Sequence, residues 1–199
     1  MKKIIIATKN NGKVKEFNAL LTPLGYEVQS LLDYENAIDV EETGSTFEAN
    51  AILKAEAISN QYQLLTIADD SGLEVDYLEG KPGVYSARYA GPDKSDQANM
   101  DKVLDELNSV TDMEERSARF VCALALSTPG QEVQTVKGTC EGYIANSPIG
   151  VNGFGYDPIF ILKHTNKTMA QLSKEEKNQI SHRSEALRKL LQLMANTER

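Results

Sequence analysis

Apolar residues follow two patterns along the chain, short continuous runs and runs with helical spacing. Continuous or alternating apolar residues are typical of strands, and helical spacing is typical of helices that pack one face on a core. The first pattern predicts strands over 4–7, 26–31, 64–68, 73–77, 118–127, 132–141 and 159–162. The second predicts helices over 13–24, 45–61, 95–107 and 184–195.

The order of these segments predicts the fold class. Helices and strands are interleaved, which favours an α/β protein. The strands 118–127 and 132–141 flank Thr128-Pro129-Gly130, which is typical of a hairpin. A hairpin is antiparallel, so we expect a mixed sheet rather than an all-parallel one. Ser45 with Glu48, and Ser173 with Glu176, have the spacing of capping boxes, which mark helix starts.

Composition narrows the class of protein. The 199 residues are 41% hydrophobic and 25% charged, as in an ordinary globular protein. No apolar stretch approaches the roughly 20 residues that span a bilayer, and the apolar part of MKKIIIATKN is too short for a signal peptide. We therefore expect no membrane partner and a cytoplasmic location.

Cys122 and Cys140 are too few for a disulfide framework or a zinc site. The net charge of −8 does not favour nucleic-acid binding.

Two adjacent carboxylates, Asp69 and Asp70, follow the apolar run 64–68. Like charges beside a buried strand are costly, because burial and mutual repulsion both disfavour ionisation. A structural explanation is a turn, since Asp-Ser-Gly is favourable turn chemistry. On this explanation one strand ends at 68 and another begins at 73. The alternative is a functional site.

The segment Thr8-Lys9-Asn10-Asn11-Gly12-Lys13 follows the first strand and opens the first helix. Main-chain amides at a helix start favour an anion, and Lys13 adds a positive charge. Ala7 and Val14 stand where a Walker A loop needs Gly and Ser or Thr. The segment is therefore a phosphate cradle of another kind, or a plain strand-to-helix turn.

Glu41 and Glu42 lie in an acidic, irregular segment. If they converge with Asp70, the oxygen ligands suit a hard cation, and Mg²⁺ is usual where phosphates complete its coordination. The alternative is a solvated acidic loop.

Three further segments contain residues that are candidates for contacting a bound molecule. Arg88 lies in the Gly-rich loop 80–93 and either binds a phosphate or forms a surface salt bridge. Phe154 stands between Gly153 and Gly155, which favours an exposed ring on which a base can stack. His182 and Arg183 are donors at a helix junction, where a helix-end cap is the alternative for His182.

Together these segments resemble one family, the inosine/xanthosine triphosphate pyrophosphatases. The resemblance runs from Ile4 to the last helix and rests on TKNNGK, EETGSTFEANAILKA, IADDSGLEVD, PGVYSARYAG, NGFGYDPIF and EEKNQISHR. One departure is Asn152, where a Gly is frequent. The family resemblance implies Mg²⁺-dependent hydrolysis of ITP, dITP and XTP to the monophosphate and pyrophosphate, which keeps these bases out of DNA and RNA.

The resemblance also implies a fold and a site. The fold would be an elongated mixed sheet flanked by helices, one domain over 1–199 with two lobes and a central substrate groove, and the family is usually homodimeric. Asp70 would be the general base and, with Glu41, a Mg²⁺ ligand. The substrate ligands would be Thr8, Lys9, Asn10, Asn11, Gly12 and Lys13 for the triphosphate, Ser71, and Phe154, Gly155, Tyr156, Asp157, Lys177, His182 and Arg183 for the nucleoside.

Two other functions remain open at the level of sequence. A pyrophosphatase of similar fold could act on pyrimidine or modified nucleotides. A non-catalytic sensor could bind a triphosphate, but a pure phosphate binder gains nothing from Glu41 and Asp70 without a metal.

Overall fold

The computed structural model describes residues 2–197 of the chain. Its strands are β1 (Lys2–Ile6), β2 (Tyr26–Ser30), β3 (Thr66–Val75), β4 (Ser117–Ser127), β5 (Gln134–Ile144) and β6 (Phe160–Leu162). Its α-helices are α1 (Asn11–Leu21), α2 (Phe47–Tyr62), α3 (Asp96–Glu106), α4 (Lys174–Ile180) and α5 (His182–Thr197). Short 3₁₀ turns, among them Gly83–Arg88, lie between these elements.

The strands form one six-stranded sheet in the order β2-β1-β3-β4-β5-β6. β1 runs parallel to β2, with Ile4 opposite Val28, and parallel to β3, with Ile6 opposite Ile67. β5 and β6 are antiparallel, with Tyr143 opposite Ile161. The predicted α/β class with a mixed sheet is confirmed.

The chain divides into two compact units, each with its own core. The first unit contains the described residues up to Asp70, Cys122–Gly138 and the residues from Arg183 onward. Its core joins the apolar faces of β1, α1 and α5 with the centre of the sheet, including Ile4, Phe17, Leu124 and Leu187. The second unit contains Ser71–Val121 and Thr139–His182, and its core includes Leu73, Val103, Phe120 and Phe160.

β3 is one continuous strand, so the predicted turn at Asp-Ser-Gly is wrong. Gly72 is required for close packing instead. A Cβ there would lie 2.4 Å from Ser86 Oγ, and that hydroxyl accepts a hydrogen bond from Leu73 N at 2.9 Å. The 3₁₀ turn Gly83–Arg88 therefore packs directly on the backbone of the strand.

Helix starts and ends differ from the prediction in several places. The predicted capping box of Ser45 and Glu48 is wrong, because Thr46 is the N-cap of α2 and accepts a hydrogen bond from Ala49 N. The box of Ser173 and Glu176 is confirmed. α1 ends at Leu21 rather than at 24, and a 3₁₀ turn containing Pro23 follows it.

No helix within residues 2–197 is both long and apolar enough to cross a bilayer.

Candidate active site

Asp69 is completely buried in β3 of the first unit, where two cations neutralise it. Its Oδ2 lies 2.8 Å from Lys13 Nζ and 3.6 Å from a terminal nitrogen of Arg183. Arg183 also forms an ion pair with Glu16. Burial alone raises the pKa of Asp69, but the charges of Lys13, Arg183 and Lys54 outweigh burial and hold this pKa well below its ordinary value. Asp69 therefore stays ionised at neutral pH.

Lys13 reaches Asp69 from the first turn of α1. The side chain of Asn10 caps this helix by accepting a hydrogen bond from Lys13 N at 3.1 Å, and Thr8 Oγ1 accepts one from Asn10 N at 3.2 Å. Lys13 keeps 17% of its side chain exposed, while Lys9 and Asn11 are exposed. The predicted phosphate cradle thus forms a capped helix start, whose main-chain amides favour an anion. The ammonium of Lys13 is ion-paired with Asp69.

Asp70 has a different environment from its neighbour. It is 7% exposed, its Oδ2 accepts a hydrogen bond from Asn50 Nδ2 at 2.9 Å, and its Oδ1 lies 3.8 Å from Lys54 Nζ. Burial raises the pKa of Asp70 above its ordinary value, and the charge of Lys54 and the bond from Asn50 offset only part of this effect. A carboxylate with a raised pKa is a stronger base, which suits proton abstraction.

Lys54 joins the acidic segment to the two aspartates. Its Nζ donates to Glu42 Oε1 at 2.7 Å and to the main-chain oxygen of Asp69 at 2.6 Å. Burial lowers the pKa of Lys54, but the charges of Asp69, Asp70 and Glu42 raise it overall, so the ammonium stays protonated. Glu42 is the glutamate held beside Asp70, whereas Glu41 is exposed and its main-chain oxygen accepts from Thr43 N.

Two carboxylates of the first unit, Asp70 and Glu42, are candidates for contributing to a site for a hard divalent cation. Lys54 Nζ lies 2.7 Å from Glu42 Oε1 and 3.8 Å from Asp70 Oδ1, and carboxylate oxygens suit Mg²⁺. Across residues 2–197 no group of three or more His, Cys, Asp or Glu side chains could hold a metal ion. Phosphate oxygens would therefore have to supply much of the coordination.

The second unit carries the aromatic segment around Phe154. Asp157 Oδ2 accepts hydrogen bonds from Phe154 N at 2.9 Å and Lys177 Nζ at 2.7 Å. The Lys177 ammonium also lies 4.6 Å from the centre of the half-buried Phe154 ring. Gly153 has a φ of +80°, and a Cβ there would lie 1.9 Å from Asp157 Oδ2. Glycine is therefore required for this carboxylate to hold the loop.

Further contacts fix the neighbouring predicted residues. The amide of Gly155 donates to Asp96 Oδ2 at 2.8 Å, and the Tyr156 hydroxyl donates to the main-chain oxygen of Ser86 at 2.7 Å. The ring of His182 is buried and stacks on Phe120, with 4.9 Å between ring centres. Ser71, in β3, is half-buried.

The predicted residues thus fall into two sets. Thr8 to Lys13, Asp70 and Arg183 belong to the first unit, and Ser71, Phe154 to Asp157, Lys177 and His182 belong to the second. The guanidinium of Arg183 contacts Glu16 and Asp69. Arg88 is half-buried, and its guanidinium lies 5.1 Å from the centre of the Tyr85 ring.

Sequence reasoning assigned no role to Asn50, Lys54 or Glu16, although Asn50 and Lys54 lie in the family segment EETGSTFEANAILKA. A signal for the first two exists, because positions 50 and 54 are four apart on α2 and flank the apolar positions 47, 51 and 55. Polar residues next to the core stripe of a helix are candidates for a buried site. No comparable signal marks Glu16, whose partner Arg183 is distant along the chain.

The first unit can support phosphoryl chemistry with water as the nucleophile. It combines a base with a raised pKa, a neighbouring carboxylate held ionised, and two ammonium groups. Environments that separate the pKa values of two carboxylates are typical of sites that divide roles between them. Phosphoryl transfer needs positioning and charge neutralisation rather than a covalent nucleophile.

Comparison with known proteins gives a consistent result along almost the whole chain. The model of the Ham1 family matches residues 4–193. A Bacillus licheniformis protein named dITP/XTP pyrophosphatase is 61% identical over 194 residues, covering 98% of both chains. A Bacillus subtilis protein with the same name is 59% identical with the same coverage. The solved structure of the Staphylococcus aureus Ham1 protein is 50% identical, with a TM-score of 0.87 and complete coverage of both chains.

Proposed function

Because this chain belongs to the Ham1 family, we propose that it hydrolyses the purine nucleoside triphosphates dITP, ITP and XTP to monophosphates and pyrophosphate. Removing these nucleotides would keep non-standard bases out of DNA and RNA. The structural observation that carries the proposal is the different environment of two adjacent carboxylates. Lys13 and Arg183 contact Asp69, whereas Asn50 and Lys54 contact Asp70.

The reaction assigns one role to each group of the first unit. Asp70 orients a water molecule and accepts its proton as the water oxygen attacks the α-phosphorus. The bond from the α-phosphorus to the bridging oxygen breaks, and pyrophosphate leaves with the electron pair. Lys13 and the main-chain amides at the start of α1 stabilise the phosphate charge. Asp69 keeps Lys13 in place through the 2.8 Å contact.

We propose Mg²⁺ as the cofactor, with Asp70 and Glu41 as the predicted ligands. The contacts of Lys54 support Glu42 as a further ligand, because they hold its carboxylate beside Asp70. When bound, the cation would neutralise negative charge on the triphosphate.

Residues of the second unit would recognise the base. We assign stacking to Phe154 and donor roles to Lys177 and His182, with Ser71 and the segment Phe154 to Asp157 as further contacts. Hypoxanthine and xanthine have an acceptor oxygen at C6, where adenine has an amino donor. A donor left unpaired by adenine would reject it. Arg183 stays a predicted base contact, in addition to its ion pairs with Glu16 and Asp69.

The remaining expectations are also proposals. We propose one domain over 1–199 with two lobes, a homodimeric assembly and a cytoplasmic location, where nucleoside triphosphates are used for synthesis.

One assay tests the function. The purified chain is incubated with Mg²⁺ and separately with ITP, dITP, XTP, GTP, ATP, dTTP and UTP, and products are resolved by chromatography. We expect monophosphate and pyrophosphate from ITP, dITP and XTP, little turnover of ATP and GTP, and loss of activity with EDTA that Mg²⁺ restores. Diphosphate and phosphate would refute attack at the α-phosphorus. Pyrimidine turnover would refute the base assignment, and tight ITP binding without turnover would indicate a sensor.

A further inference from the structure

Helices α2 and α3 begin with the same local arrangement. Each has a hydroxyl N-cap, Thr46 or Ser95, and each has a buried asparagine as its fourth residue. Asn50 is 1% exposed and Asn99 is 3% exposed. Each Oδ1 accepts a hydrogen bond at 2.7 Å from a main-chain amide of the preceding segment, Gly44 N for Asn50 and Ala90 N for Asn99. Both asparagines therefore attach a loop to the first turn of a helix.

The two asparagines differ in the acceptor of the hydrogen bond that Nδ2 donates. Asn99 Nδ2 donates to the main-chain oxygen of Ala87 at 3.2 Å, within the loop that it already holds. Asn50 Nδ2 donates instead to Asp70 Oδ2 at 2.9 Å, on a different element of the same unit. One carboxamide thus connects the acidic segment at Gly44 to the carboxylate that we assign as the base.

This connection constrains the Asp70 carboxylate. A hydrogen bond to Oδ2 on one side and the Lys54 ammonium 3.8 Å from Oδ1 on the other restrict rotation of the carboxylate. The carboxamide itself cannot shift easily, because it is buried and bonded at both ends. A Cβ on Gly44 would lie 2.7 Å from Asn50 Oδ1, so the acidic segment packs directly against the carboxamide.

We propose that Asn50 is a positioning residue for hydrolysis, which acts by holding the Asp70 carboxylate in the orientation that receives the proton from water. This inference rests on the proposed function and gives a role to a residue that the sequence analysis left without one. Asn50 thus makes two contributions. Its Oδ1 holds the acidic segment, and its Nδ2 orients the Asp70 carboxylate.

Two substitutions at this position distinguish the contributions. Asn50→Ala removes both hydrogen bonds, whereas Asn50→Asp keeps an acceptor for Gly44 N and places an oxygen against Asp70 Oδ2. If Asn50 only holds the loop, Asn50→Asp should keep much more activity than Asn50→Ala. If Nδ2 orients the base, both should lose about 100-fold in kcat, the cost of a misplaced reacting group, with little change in KM for ITP.

Asn99→Ala is the matched control for folding. It removes the equivalent buried carboxamide from α3, so urea unfolding should show a loss of stability similar to that of Asn50→Ala. We expect its kcat to stay close to that of the unsubstituted chain.

Three results would overturn the inference. They are an Asn50→Asp variant with nearly full kcat, an effect on KM alone, and a loss of kcat in Asn99→Ala as large as in Asn50→Ala at equal stability. If the unsubstituted chain does not hydrolyse ITP, the proposed function fails instead, so the two failures can be distinguished.

Discussion

The same substitution at two adjacent positions of β3 should destabilise the chain at one position and not at the other. Asp69→Asn removes the carboxylate that faces Lys13 and Arg183 in the buried interior of the first unit. Removing one partner of a buried ion pair costs about 3–5 kcal/mol. We expect about 3 kcal/mol here, at the lower end of that range, because Arg183 keeps its ion pair with Glu16 and Lys13 is partly exposed. In a chain of this size that loss lowers Tm by about 6–12 °C.

Asp70→Asn should not destabilise the chain. The raised pKa of Asp70 means that folding disfavours its ionised form. A raised folded-state pKa gives stability that is present at low pH and lost as pH rises through that pKa. At neutral pH the neutral asparagine therefore removes an unfavourable charge. We expect a urea midpoint at or above that of the unsubstituted chain, together with loss of turnover.

The pH dependence of stability gives a second test of Asp69. Its folded-state pKa is lowered, so its stabilisation is complete above the unfolded-state value of about 4 and is lost as pH falls below that value. The difference in unfolding free energy between the unsubstituted chain and Asp69→Asn should be constant from neutral to mildly acidic pH and then shrink. Urea unfolding followed by circular dichroism measures this difference. Equal midpoints for Asp69→Asn and Asp70→Asn at neutral pH would refute the assigned environments.

Three further substitutions or treatments test other parts of the structure. Gly153→Ala places a Cβ against Asp157 Oδ2 and should raise KM for ITP at least about tenfold, a loss of about 1.4 kcal/mol, which steady-state kinetics would detect. Gly72→Ala forces a Cβ onto Ser86 Oγ and should cost about 1–3 kcal/mol through overpacking, measured by urea unfolding. Burial raises the pKa of Cys122 to about 12, so its thiol should resist alkylation at pH 8 until urea unfolds the chain, as peptide mass spectrometry would show.

The apolar pattern predicted the strands and helices whose core-facing positions are apolar without interruption. β1 and β4, both interior strands of the sheet, contain continuous apolar runs, over 4–6 and 120–126. α3 begins within one residue of its predicted start, because Ser95 supplies the N-cap. In these elements the apolar pattern and the local capping residues agree with the packing of the core.

The pattern failed where a distant contact replaces a local preference. Asp-Ser-Gly is favourable turn chemistry, yet β3 continues through it because Ser86 hydrogen-bonds the strand and fits only against a glycine. The candidate site shows the same limit. Lys13 and Asp70 stand in recognisable segments, whereas the contacts of Asn50 and Lys54 depend on how α2 packs on β3.

The division of the chain into discontinuous units has a consequence for folding during synthesis. The core of the first unit combines Ile4 and Ile6 with Ala186, Leu187 and Leu190 of α5. Contacts of such sequence separation form late and slowly, because a long loop must close before they contribute. On the ribosome, β1 would therefore remain without its complete core until α5 has emerged. The opening strand of the first unit would be the segment that most needs protection from aggregation while the chain is being made.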